Sequence, residues 1–326
     1  MKPKVIVLFS GGLDSRLVVK ILQEQKLAVE TIYFKLPFSS GCCSSQECCF
    51  NYAQMSGVKF TSVDCTKGKL FDEYMNIIKK PKHGRGTSMN PCIDCRIFII
   101  KKAKEYADKK SIKIIASGEV LGERPMSQTS KNLQIIDKET GIEILRPLSA
   151  KLLAETSVEK NKLVDRNKFF DINGRSRKIQ LELAKKYNIK YPSPSGGCLL
   201  CEKVIGKRIN TLLEKNLINE KTLELSKIGR HFLIDDCWFI VGRKEKENFI
   251  IETFSSSLKS AKEKPAVCYV WQENLENHEG FLADPKLNYK QKIYGHKENK
   301  KKAKELQEAY STGSINERKK FENFRI

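Results

Sequence analysis

The chain opens with a continuous apolar run, Val5-Ile6-Val7-Leu8-Phe9, which predicts a strand buried on both faces. Leu17-Val18-Val19-Lys20-Ile21-Leu22 follows with apolar residues at helical spacing. Strand-like runs recur at 29–36, 59–63 and 112–116, and helical ones at 70–78, 93–108 and 174–187. Strands alternating with helices predict a parallel sheet covered by helices. Right-handed crossovers then put the loops after the strands on one edge, where ligands bind. The expected fold class is therefore α/β, with a Rossmann-like parallel-sheet domain over 1–215. From Lys221 the pattern changes. Residues 228–234 and 237–243 read as two strands joined by the turn Asp235-Asp236, and 265–271 as another. A smaller α+β domain is expected over 216–288. The polar, Lys-rich segment 289–326, with 297–304 nearly a charge run, is expected to be a solvated basic tail.

Ser10-Gly11-Gly12-Leu13-Asp14-Ser15 joins the first strand to the first helix. Unpaired N–H groups at a helix start, together with the helix dipole, attract an anion. The glycines allow an oxygen-rich ligand close to the main chain, and Ser10 and Ser15 offer hydroxyl donors. Asp14 suits a phosphate cradle only if it caps the helix or helps to hold a metal. A plain strand–turn–helix crossover is the alternative, but the whole hexapeptide points to nucleotide binding. No Gly-Lys-Ser/Thr follows, so this is not a Walker loop. Ser117-Gly118 ends a later strand at the same edge, with Glu119, Arg124 and Gln128 expected nearby. Arg124 could neutralise phosphate or sit in a surface ion pair. Arg146 and Lys151 are two further cations.

Eleven cysteines in one chain read as metal, cluster or sulfur chemistry once a cytoplasmic location is expected. That location is expected because no apolar run reaches the length of a membrane span, and 1–4 lead straight into a strand without a signal peptide or anchor. Asn90-Pro91-Cys92-Ile93-Asp94-Cys95 opens a helix, and Cys198-Leu199-Leu200-Cys201 closes a Pro/Gly-rich loop. Two Cys-x-x-Cys pairs about a hundred residues apart fit structural zinc on four thiolates, free catalytic thiols, or an iron–sulfur cluster. The dense stretch Cys42-Cys43 to Cys48-Cys49 is left without a role. A net charge of +21, from 60 basic and 39 acidic residues, favours a polyanionic partner, with nucleic acid first.

The hexapeptide resembles the pyrophosphate loop of adenine-nucleotide alpha-hydrolase-like enzymes. That resemblance implies cleavage between the alpha and beta phosphates of ATP, with Mg2+ (Mg²⁺), and an adenylated substrate. Ser10, Gly11, Gly12, Asp14, Ser15, Ser117 and Gly118 would line the ATP site, with Tyr33 and Phe34 at adenine. Adding Asn-Pro-Cys-x-x-Cys and a distant Gly-Cys, residues 1–212 resemble the ATP-dependent tRNA thiolation enzymes, the 2-thiouridylases and short 4-thiouridine synthases. The resemblance implies that Cys92, Cys95 and Cys198 hold a 4Fe-4S cluster with one open iron, leaving Cys201 spare. It implies Asp14 and the three cysteines as catalytic residues, tRNA as substrate, and sulfide or a cysteine desulfurase as sulfur donor. The chain departs from the persulfide-type synthases in that no rhodanese-like domain is expected, and it has Gly118-Glu119 where those enzymes have Gly-His. The later strands resemble, more weakly, the RNA-binding module of NFACT-type proteins, which makes Arg230, Arg243 and Lys244, with Arg124, candidates to face RNA. His231 reads as a hydrogen-bonded strand residue. Two other functions fit the same residues: an ATP pyrophosphatase acting on a small carbonyl compound, and a zinc-stabilised RNA-binding protein.

Overall fold

The computed structural model describes residues 2–39, 46–193, 197–254, 256–260, 264–271, 289–311 and 315–326, with backbone only for 289–296 and 315. Cys42 and Cys43 lie outside the described residues, as do 194–196. The chain forms two compact units, 1–202 and 203–326.

The first unit is built on four parallel strands: β1 (Lys4–Leu8), β2 (Ala28–Lys35), β3 (Lys59–Asp64) and β4 (Ile114–Ser117), in the order β3-β2-β1-β4. Val5, Ile6 and Val7 are fully buried, as a doubly covered central strand requires. Six helices accompany the sheet: α1 (Leu13–Glu24), α2 (Gln46–Met55), α3 (Gly68–Lys79), α4 (Cys92–Lys109), α5 (Ser130–Thr140) and the single turn α6 (Ser157–Lys160). A seventh, α7 (Lys178–Lys186), packs against α1. Strand order reverses at β1, since β2 lies on one side and β4 on the other. The crevice beyond the carboxyl ends of β1 and β4 is where ligands bind in open α/β sheets. Both the Ser10–Ser15 loop and the Ser117-Gly118 turn sit there.

The second unit begins with α8 (Lys203–Glu214), so the division falls ahead of the expected 215. Its sheet, β5 (Arg230–Ile234), β6 (Cys237–Val241), β7 (Ser257–Leu258) and β8 (Val267–Val270), is antiparallel in the order β5-β6-β8-β7. Asp235 and Asp236 both have positive φ, 47° and 60°, which suits a two-residue hairpin turn. Helix α9 is Glu245–Glu252. The segment expected as a solvated tail instead forms α10 (Tyr289–Ala309) and α11 (Ile315–Lys319). Ala303, Leu306 and Ala309 bury one face of α10, which packs on β6 and β8, while Lys297, Lys300, Lys301 and Lys304 stay exposed. Charge along this helix hid a short apolar stripe at three-residue spacing.

Candidate functional site

The phosphate-type loop is shaped by its backbone. Gly11 has φ +76°, a left-handed conformation that glycine adopts without strain. Gly12 is the N-cap of α1 and has no side chain to cap the helix, so the N–H groups of its first turn are not taken up by an N-cap side chain. Buried Arg16 locks the loop from behind. Its Nε donates to the Gly11 carbonyl at 2.7 Å, its guanidinium also donates to the Lys190 carbonyl at 2.6 Å and to Cys48 Sγ at 3.2 Å, and it stacks over Tyr52. Cys48 and Cys49, which had no expected role, therefore sit on α2 directly behind the loop. The hydroxyls are already engaged within it: Ser15 Oγ donates to the Gly12 carbonyl at 2.9 Å, and Ser10 Oγ lies 3.4 Å from Ser15 Oγ. Asp14 is half-buried. Burial raises its carboxyl pKa, and Arg177 and Arg124 offset part of that rise.

Gly118 has a packing role. A Cβ there would stand 2.7 Å from the Ser15 nitrogen and 2.8 Å from the Asp14 carbonyl carbon, both backbone atoms. Gly118→Ala must therefore push β4 and the loop apart. We expect a loss of about 1–3 kcal/mol of stability, measured by denaturant unfolding. Ser117 ends β4 beside Gly118. It is fully buried, and its hydroxyl donates to Glu119 Oε2 at 3.0 Å.

Glu119 anchors the rest. Arg96 Nε donates to Oε1 at 2.6 Å and Arg146 Nε to Oε2 at 2.9 Å, while Arg146 also forks onto Asp137 at 2.7 and 2.8 Å. Burial alone would raise the Glu119 pKa, but the two guanidinium groups outweigh it and hold the carboxyl down to about 2. Arg146, read from sequence as an available cation, is consumed by this network.

Two backbone ties bring the cysteine pairs together. The Leu199 N–H donates to the Phe38 carbonyl at 3.0 Å, and the Met89 N–H to the Leu200 carbonyl at 3.1 Å. The second pair is thus pinned between the end of β2 and the turn that starts α4. The nine described cysteines form no disulfide with one another. Asn90 donates to Cys92 Sγ at 3.2 Å, and the Tyr74 hydroxyl lies 3.4 Å from Cys95 Sγ. Cys201 accepts hydrogen bonds from Cys198 and Cys92, which lowers its pKa below the usual thiol value. Cys198, the donor and largely buried, is raised, and burial pushes Cys95 up to about 11.

One cavity of about 300 Å³ unites these parts. Ser10, Asp14 and Ser15 line one side, Cys92, Cys95 and Cys198 another, and Phe34, Gly118, Glu119, Arg124 and Gln128 complete the wall. Tyr33, Tyr74, Arg96 and Glu123 also line it and were not picked out for it by sequence, except Tyr33. Tyr74 could not have been found, since an aromatic on a helical stripe reads as core. Cys201 is exposed and outside the lining. Among the described residues, no three His, Cys, Asp or Glu side chains close on a single metal ion. A cubane cluster is held by thiolates on separate irons, which need no common focus, so three inward thiols with two hydrogen-bond donors behind them fit that group.

In the second unit, Arg230 is half-buried over the Tyr310 ring, Arg243 is exposed and ion-paired with Glu247 at 2.7 Å, and Lys244 is exposed at the start of α9. His231 is buried, with Nδ1 accepting from Trp238 Nε1 at 3.0 Å. No described helix is long and apolar enough to cross a membrane.

An α/β protein with an anion cradle at the sheet's switch point and thiols facing it defines the class. Residues 1–168 match the family model of the thiamine biosynthesis protein ThiI, and the chain belongs to that family. No curated protein matches it. Among solved structures it is similar to a predicted subunit of tRNA methyltransferase from Methanocaldococcus jannaschii, at 19% identity and TM-score 0.34, covering 56% of this chain and 76% of that one. It is also similar to the U34-tRNA thiolase NcsA from Methanococcus maripaludis with its 4Fe-4S cluster, at 18% identity and TM-score 0.37, covering 69% of each chain.

Proposed function

We propose that this chain is an ATP-dependent tRNA sulfurtransferase that makes 2-thio- or 4-thiouridine. The observation that carries this reading is the shared cavity: an open helix start for phosphates and three thiols line the same 300 Å³ space. Membership of the ThiI family supports it. The triphosphate lies on the Ser10–Ser15 loop, with the adenine against Tyr33 and Phe34 and with Arg124 neutralising charge at the mouth. A uridine carbonyl oxygen attacks the alpha phosphorus, the bond to the beta phosphate breaks, and pyrophosphate leaves. Sulfide then forms the C–S bond at the activated carbon, and the C–O bond breaks to release AMP. Cys92, Cys95 and Cys198 would hold a 4Fe-4S cluster, which would supply an open coordination position for that sulfide; the sulfide comes from solution, or from a cysteine desulfurase persulfide that a thiol reductant cleaves to sulfide. The cavity wall must exclude water, because the adenylate otherwise hydrolyses, and the base must be unstacked to enter. Arg230, Arg243 and Lys244 of the second unit bind the tRNA backbone, each phosphate contact adding about one unit to the slope of log affinity against log salt.

The test is anaerobic turnover with tRNA, Mg-ATP and sulfide, reading AMP by chromatography and thiouridine by mass spectrometry. One AMP per thiouridine is expected, and Asp14→Asn should abolish AMP release while tRNA binding persists. AMP release that ignores tRNA, or that survives in Asp14→Asn, overturns the reading.

A further inference from the structure

Among the described residues, six buried side-chain polar atoms lack a hydrogen-bond partner: Asp14 Oδ1, His83 Nε2, Arg177 Nε, Gln180 Nε2, Gln180 Oε1 and His231 Nε2. Four of the six meet in one place, where the start of α7 approaches the Ser10–Ser15 loop. Gln180 is 0% exposed, and both ends of its amide are open. Its amide makes a weak donor contact to the Asp14 carboxyl, short of a well-formed hydrogen bond, that lowers that group's pKa, and Arg177, the N-cap residue of α7, lowers it by charge. Glu123 belongs to the same group: burial raises its pKa, and so does the Asp14 charge beside it, while Arg124 and Arg177 act against both.

A buried amide with neither end satisfied is costly, and native proteins keep few. The buried face of α7 is otherwise apolar, carrying Leu183 and Ala184 one turn on. A leucine would fill that space without the penalty, so the amide is best explained by a ligand that completes it. The donor set limits what that ligand is. Asp14 Oδ1, the Glu123 carboxylate and Gln180 Oε1 are hard oxygens suited to a divalent cation, which binds through one or two carboxylates plus phosphate oxygens. Gln180 Nε2 and the guanidinium groups of Arg177 and Arg124 are donors suited to phosphoryl oxygens.

We propose that Arg177 and Gln180 are positioning residues that hold the metal–pyrophosphate end of the nucleotide, with Asp14 and Glu123 facing the cation. This rests on the ATP reading of the Ser10–Ser15 loop. It assigns to α7 the grip on the leaving group, while the thiol side of the cavity holds the other reactants.

The experiment measures binding of Mg-pyrophosphate, Mg-ATP and metal-free AMP to the full chain by calorimetry, together with thermal melting in the absence of ligand. Gln180→Leu should weaken Mg-pyrophosphate and Mg-ATP by about tenfold or more, leave AMP binding unchanged, and raise the ligand-free melting temperature. A merely structural glutamine would lower that temperature when replaced. Arg177→Gln should show the same loss of Mg-pyrophosphate without the gain in stability, and it carries the test should Gln180→Leu fail to fold. If the wild-type chain binds Mg-ATP and both variants bind Mg-pyrophosphate as tightly as it does, the assignment of α7 is wrong. If the wild-type chain binds neither nucleotide nor pyrophosphate, the ATP reading itself falls.

Discussion

Glu119→Gln should cost about 3–5 kcal/mol, the range for breaking a buried ion pair from one side, and lower the melting temperature of the first unit by on the order of 10 °C. The wild-type carboxylate is 3% exposed and accepts from two guanidinium groups and a hydroxyl. An amide keeps the shape but has no charge, and its NH₂ end faces a guanidinium. Arg146 is itself buried, and its one remaining carboxylate, Asp137, cannot also serve Arg96. The network further ties Arg96, the residue after Cys95, to the strand end that carries Gly118. Nucleotide cradle and thiol helix should therefore loosen together. A pH dependence follows from the same group. Its folded pKa, about 2, is depressed below the ordinary carboxylate value. The stability it contributes is present above that ordinary value and is lost as pH falls from about 4.5 toward 2. Glu119→Gln should remove this part of the acid sensitivity, so urea midpoints of variant and wild type should converge over that interval. A variant that melts within 2 °C or so of wild type would show that the pair carries little of the fold.

The parallel sheet was legible because its central strand β1 is a continuous apolar run and its helices carry apolar stripes, two periods that are hard to confuse at these lengths. Even the placing of the site needed only the Ser10–Ser15 turn and the rule that such loops share one edge. What sequence could not show was pairing across space. Ser117 and Gly118 look equally suited to a ligand, yet one hydroxyl turns inward to Glu119 and the other residue is glycine because the Asp14 and Ser15 backbone lies against it. Arg146 looks like a free cation until Asp137, nine residues earlier, claims it. Gln180 had a signal that went unused: a polar residue on the apolar face of α7. In the Lys-rich segment 289–326, composition overrode the three buried apolar positions Ala303, Leu306 and Ala309, which decide where α10 packs.

The thiols separate the main reading from its rivals. Cys92→Ser, Cys95→Ser and Cys198→Ser should each abolish the brown colour of anaerobically purified protein and all sulfur transfer. Mg-ATP binding should persist, because the cradle is built from β1 and α1 while the thiols hang from α4 and the segment pinned to Phe38. Cys201→Ser should keep most of the iron and much of the activity. Its side chain is exposed and outside the cavity lining, and a cluster with three protein ligands leaves a position for sulfide that a fourth thiolate would close. Cys201 should reveal itself differently, in cluster-free protein. As the exposed thiol, and the one whose pKa is lowered by the hydrogen bonds it accepts, it should be the first of the four alkylated at neutral pH, while Cys95 and Cys198, both pushed up, react later. A structural zinc site predicts another pattern, since it uses four ligands and has no open position. Each of the four variants would then lose metal and stability alike. Iron, zinc and melting temperature measured on all four decide between the two. Loss of metal and stability in Cys201→Ser equal to that of its neighbours would end the open-site mechanism.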